Sequence, residues 1–108
     1  MDIEKILAQT TGFDWDAGNI DKIWETHRVL PNEAEEVFFN KPLLLLPDEK
    51  HSTMEQRFSA LGKTDTARRL FITWTVRHAP PAMRTPLVRV ISARDLSRKE
   101  RTLYAGQI

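Results

Sequence analysis

The chain has no cysteine, so neither a disulfide framework nor a thiolate-bound metal can be built from it. Its four glycines are dispersed, and they assemble neither a G-x-G-x-x-G turn nor a P-loop for a nucleotide cofactor. No serine stands in a G-x-S-x-G setting, which leaves acyl transfer without a nucleophile elbow. The three histidines, His27, His51 and His78, lie far apart and lack the spacing of a helical metal site. Residues 43–47 form the longest apolar run, far too short to span a bilayer. Asp2, Glu4 and Lys5 give the first residues none of the pattern of a secretory leader. These absences lead us to expect a cytoplasmic protein without metal, cofactor or membrane contact.

What is present is charge, unevenly spread. Residues 1–50 hold five Lys/Arg against eleven Asp/Glu, whereas residues 51–108 hold eleven against four. Asymmetry of this kind hints at an anionic partner, or at two halves that neutralise one another in the fold. The 108 residues, 41% apolar and 29% charged, suit one domain with a single core.

Residues 2–9 fit a short amphipathic helix or a loose extension. Phe13-Asp14-Trp15 reads as an edge strand, and Asp16 as the N-cap of a helix over residues 17–28 with Ile20, Ile23 and Trp24 on its buried side. Pro31-Asn32-Glu33 starts a second helix, which Asn40-Lys41-Pro42 ends. Residues 43–46 read as a buried strand. Residues 57–61 form the next strand, closed by a turn at Gly62-Lys63-Thr64-Asp65. Over residues 70–77, Leu70, Ile72, Trp74 and Val76 take one face and Phe71, Thr73, Thr75 and Arg77 the other. A longish loop over residues 79–86 leads to a strand over 87–93, and a last helix begins at Ser97 and stops near Gly106. Two helices, four strands joined in succession and a final helix make an α+β domain with an antiparallel sheet. Nothing marks a linker, so residues 1–108 read as a single domain, with 1–12 as an N-terminal extension.

Chemistry concentrates in the basic half. Five cations, Arg89, Arg94, Arg98, Lys99 and Arg101, fall within thirteen residues. Arginine offers a rigid fork that binds phosphate oxygens bidentately. RNA can be cut by attack of its own 2′-hydroxyl, with a base to take the proton and cations to stabilise the charge on the phosphoryl oxygens. Arg57, at the start of a strand, fits that role or a salt bridge to Glu55 or Asp48. Arg89, amid apolar positions, should lie at the sheet edge or be paired. Simple alternation puts Arg94 on the opposite face from Arg89, so the two converge only if the chain bends near Ala93. Ser97-Arg98-Lys99-Glu100 has the form of a capping box, which would occupy Glu100. Tyr104 reads as a packing residue or a proton donor. His51 and His78, in polar segments, are the groups whose ordinary titration lies near neutrality.

The segments FDWD (13–16), EAEEVFFNKPLLLLPDEKH (33–51), EQRFSALG (55–62), RRLFITWT (68–75) and RVISARDLSRKERTLY (89–104) resemble the BrnT family of ribonuclease toxins. The resemblance spans roughly residues 13–105. It implies a RelE-like α+β fold and a small endoribonuclease that arrests translation within a type II toxin–antitoxin system. It further implies a BrnA-like antitoxin with a ribbon-helix-helix domain, through which any DNA contact would be made. Arg57, Arg94, Arg98, Glu100 and Arg101 match the family pattern. Two segments depart from it: the longer 79–86 loop, and Arg28-Val29-Leu30 where a glycine-containing helix stop is common. The resulting expectation has Arg57 and Arg94 as catalytic arginines, with His51 or Glu55 carrying the proton. Arg77, Arg89, Arg98, Lys99 and Arg101 would hold RNA, and the products would be a 2′,3′-cyclic phosphate and a 5′-hydroxyl. The alternatives are a non-catalytic RNA- or protein-binding module and a degenerate toxin that only partners its antitoxin.

Overall fold

The computed structural model describes residues 2–78 and 85–107, so most of the expected 79–86 loop lies outside the described residues. Three helices come first: α1 (Ile3–Ala8), α2 (Ala17–His27) and α3 (Pro31–Phe39). Four strands follow, β1 (Leu44–Pro47), β2 (Phe58–Lys63), β3 (Arg69–His78) and β4 (Pro86–Asp95), and then α4 (Arg98–Ala105). The strands pair antiparallel in chain order. Phe13 adds a parallel bridge to Val88 on the outer edge of β4, so the expected edge strand is reduced to one bridged residue.

Local chemistry explains the helix ends. Asp2 caps α1 through Lys5 N, and Ile3, Ile6 and Leu7 pack on the core, so the first segment is a docked helix. Asp16 and Asn19 cap α2 reciprocally, each side chain accepting from the other's main-chain N–H. Helix α2 ends at His27, and Arg28 takes the left-handed conformation (φ 54°) that glycine usually supplies. Its strain is offset by Arg68, whose guanidinium grips the carbonyls of His27 and Arg28 and the carboxylates of Glu33 and Asp95. The departure at Arg28 is thus accommodated by a clamp from the β2–β3 turn.

One sheet face, covered by α1, α2 and α3, holds the main core: Phe58, Ala60, Leu70, Ile72, Trp74, Val88, Val90 and Ala93 against Ile23, Val29, Ala34, Val37 and Phe38. Trp24 departs from expectation. It is 43% exposed, with Arg28 stacked over it, and Val29 supplies the buried contact instead. Gly62 lies inside β2 rather than in the turn. A Cβ there would stand 2.7 Å from Val37 Cγ1 and 3.2 Å from Val37 O, so glycine is what lets α3 approach β2. The continuous apolar run of β1 belongs to a half-buried edge strand. Its two faces are covered differently, Leu45 by the main core and Leu44 and Leu46 by the cluster of Leu61, Leu96 and Tyr104 under α4.

Ile91 is an extra residue in β4. Thr73 stands opposite Ser92 and Trp74 opposite Val90, leaving Ile91 unmatched. This bulge resets the alternation, so Arg89 (opposite Thr75) and Arg94 (opposite Phe71) share the sheet face away from α2 and α3. Simple alternation had put them on opposite faces, and the correction comes from a bulge rather than a bend at Ala93. Helix α4 covers one end of this face.

Candidate functional site

The FDWD segment fixes Arg89. Its main chain bonds β4 on both sides of the Phe13 bridge, with Val88 N donating to Gly12 O and Asp14 N to Val88 O. Asp14 and Asp16 then hold the Arg89 guanidinium at 3.3 and 2.9 Å. Arg89 is therefore both at an edge and paired. The Arg89 fork holds the Asp16 carboxyl below the usual carboxylate range, and Asp16 in turn raises Arg89. Between them Trp15 Nε1 donates to Glu35 at 2.7 Å, tying the segment to α3.

The connection from β1 to β2 is closed by Ser52. Its hydroxyl donates to Asp48 O at 2.6 Å and accepts from Arg57 N at 2.9 Å, while Asp48 N donates to Arg57 O. Thr75 Oγ1 adds a bond to Gln56 O. The main chain at Arg57 is thus held on both sides. The side chain is not: its ion pair to Glu55 is 3.6 Å long, and its buried Nε has no hydrogen-bond partner. The outer nitrogens of Arg57 are thus loosely held, unlike those of Arg68 and Arg89. Glu55 also takes Arg77 at 3.4 Å, so one carboxylate spans two guanidiniums from neighbouring chain segments.

Two cavities meet at this group. A larger one, about 560 Å³, is lined by Lys50, His51, Thr53, Met54, Glu55, Arg57 and Arg77. A smaller one, about 200 Å³, has Glu55, Arg57 and Arg77 on one side and Gly18, Asn19, Lys22, Arg89, Val90 and Ile91 on the other. In the first, His51 turns Nδ1 to both oxygens of Asp48 at 3.1 Å. With Nδ1–H donating to the carboxylate, a neutral ring leaves Nε2 as a proton acceptor. The site therefore combines cations able to take phosphate oxygens with an oriented imidazole.

The other candidate residues lie elsewhere. Arg94 lines neither cavity. It forms a two-pronged pair with Glu100 at 2.7 and 2.9 Å and lies over the Phe71 ring at 4.4 Å. Glu100 also completes the capping box with Ser97, and the Arg94 fork, helped by the Ser97 amide, brings its pKa down to about 2. Arg98, Lys99 and Arg101 are exposed on α4. Tyr104 is buried, donates to Pro42 O at 2.6 Å, and is raised by that burial. His78 ends β3 opposite Pro86, not in a loop. Among the described residues no group of three or more His, Cys, Asp or Glu side chains could hold a metal ion, and no helix is long and apolar enough to cross a membrane.

Sequence reasoning overlooked Lys22 and Lys50 as members of the cleft and Asp48 as the partner that aims His51. Asp48 stands three residues before His51, a spacing that could have suggested the pair. Lys22 is far away in sequence, and no local signal marks it.

A family model described as "Ribonuclease toxin, BrnT, of type II toxin-antitoxin system" matches residues 15–100. The chain belongs to the BrnT family. No individual curated protein matches it. The BrnT match takes in Trp15, the His51–Arg57 connection, all four strands and the capping box at Ser97–Glu100, and leaves α1 outside. The observed α+β order, with its four-stranded antiparallel sheet, agrees with the RelE-like fold of BrnT toxins. Membership also carries a role in a toxin–antitoxin system, and with it a cognate antitoxin partner.

Proposed function

We propose that this BrnT chain is an endoribonuclease that works without a metal ion and inhibits translation. The observation that carries the reading is the convergence of two cavities on Arg57, Arg77 and Glu55, with the outer end of the Arg57 guanidinium held by a single loose ion pair of 3.6 Å. In this reading the scissile phosphate exchanges Glu55 for its own oxygens on Arg57 and Arg77. The His51 Nε2, aimed by Asp48, takes the proton of the attacking 2′-hydroxyl. As the new oxygen–phosphorus bond forms, the bond to the 5′-oxygen breaks and that oxygen takes a proton from water, giving a 2′,3′-cyclic phosphate and a 5′-hydroxyl. Charge that builds on the phosphoryl oxygens is met by the guanidiniums. Glu55, displaced from both arginines, is the alternative proton carrier.

Arg89, its charge already met by Asp14 and Asp16, would line the cleft as a hydrogen-bonding wall, and Arg98, Lys99 and Arg101 would guide the strand across α4. Arg94 is then a support for α4 rather than a group in contact with substrate. A BrnA-like ribbon-helix-helix antitoxin would cover the basic cleft in the cytoplasm and supply any DNA contact. Purified protein freed of antitoxin should cleave RNA and leave cyclic phosphate ends, readable by end-labelling before and after phosphatase treatment. Intact RNA after prolonged incubation, together with normal growth on expression, would overturn the proposal.

A further inference from the structure

Lys22 is a cation without an assignment. It stands on the first turns of α2, one helical step beyond Gly18 and Asn19, and these three form the α2 wall of the smaller cavity. Its place is fixed from beneath. The Asn19 side-chain amide donates to both Asp14 O and Val90 O at 3.0 Å, which bolts this turn of α2 to β4 beside the Ile91 bulge. The ammonium has no ion-pair partner among the described residues.

The other charges of that cavity are differently placed. Arg89 is offset by Asp14 and Asp16, and Arg57 and Arg77 share Glu55. Lys22 is thus the uncompensated charge facing Arg57 and Arg77 across the smaller cavity, while Lys50 and His51 flank them in the larger one. A strand whose scissile phosphate rests on the shared wall would carry its neighbouring phosphate into the smaller cavity.

We infer that Lys22 completes a second phosphate subsite, so the cleft takes at least two consecutive phosphates of a single RNA strand. This rests on the cleft being the RNA site proposed above. Lysine suits the task because a compact ammonium meets a phosphate from many directions, without the fixed geometry the scissile group requires.

The test uses antitoxin-free full-length protein and a short 2′-O-methylated RNA oligonucleotide, which binds but cannot be cut. Binding is followed by fluorescence anisotropy across a salt series. Loss of one phosphate contact on a single strand should lower the slope of log affinity against log salt by about 0.7. Lys22→Ala should show that fall, with affinity reduced roughly 3- to 10-fold at low salt, and Lys22→Arg should restore both. Lys41→Ala, outside the cleft, should leave the slope alone. In cleavage assays Lys22→Ala should raise KM for a trinucleotide with two phosphodiesters but not for a dinucleoside monophosphate. An unchanged slope in Lys22→Ala alongside a reduced one in Arg77→Ala would overturn the subsite and leave the RNA cleft standing. A reduced slope in Lys22→Ala with no cleavage by the wild type would support the subsite and sink the nuclease reading. Failure of the wild type to bind the oligonucleotide would overturn both.

Discussion

Replacing Arg94 with alanine separates a structural arginine from one in contact with substrate. The substitution removes a two-pronged pair to Glu100 and the guanidinium lying 4.4 Å from the centre of the Phe71 ring. The fall of the Glu100 pKa from 4.5 to about 2 sets a ceiling of about 3 kcal/mol for everything that favours its charge. Part of that comes from Ser97 and survives the mutation. Arg94 is 37% exposed in its side chain, so solvent screens the remainder. Adding about 0.5–1 kcal/mol for the ring contact, the expected loss is about 2 kcal/mol.

The pH dependence has a definite sign. A carboxyl whose folded pKa is depressed contributes stability above its unfolded value and loses it as the pH falls through the folded one. For Glu100 that window runs from its ordinary 4.5 down to about 2. Urea unfolding of wild type and Arg94→Ala should therefore differ by about 2 kcal/mol at neutral pH and converge toward the acid end of that window. Glu100→Gln should reproduce most of the loss, and the double variant should show positive coupling. Cleavage per folded molecule should stay within a few-fold of wild type. An unchanged urea midpoint with activity lost by two orders of magnitude would refute the reasoning and put Arg94 at the substrate.

Three other perturbations test the framework around the cleft. Gly62→Ala should destabilise by about 1–3 kcal/mol in chemical denaturation, because the new methyl meets both the side chain and the carbonyl of fully buried Val37. Arg68→Ala should cost about 2–3 kcal/mol and raise hydrogen exchange at residues 27–30, since one guanidinium holds two carbonyls and two carboxylates there. Asp16 and Asp95, depressed by Arg89 and Arg68 respectively, should lose their contributions as pH falls below the ordinary carboxylate range. Neutralising Asp95 as Asp95→Asn should accordingly flatten the acid limb of a stability–pH profile.

Legibility from sequence followed the range of the interactions. Caps at Asp16 and Ser97 and the α3 start at Pro31 are set by neighbours within a few residues, the antiparallel order follows from strands that succeed one another without a crossover helix, and all were readable. The pairing of Arg89 was readable in kind, because a charge amid apolar strand positions needs an acid, but Asp14 and Asp16 lie more than seventy residues away. The Ile91 bulge was not readable, since Val88, Val90 and Ile91 fit an uninterrupted strand equally well. Missing it reversed the relation between Arg89 and Arg94. Trp24 was misplaced for a similar reason: helical periodicity marks an apolar stripe, but it is Val29, beyond the helix end, that is buried, while Trp24 is left half-exposed. Within the cleft, sequence supplied Arg57, Arg77, Arg89, His51 and Glu55, while Lys22 joins them through the packing of α2 on β4.

Cleavage as proposed requires Arg57 and His51 to act on one phosphodiester. The most direct measurement is the single-turnover rate of RNA cleavage by antitoxin-free wild type, Arg57→Ala and His51→Ala, with affinity for the 2′-O-methylated strand measured beside it. Each variant should lose about 10²-fold or more in rate, while affinity falls by less than about tenfold. Cleavage at wild-type rates by both variants, or a loss of affinity that accounts for all the lost rate, would contradict it.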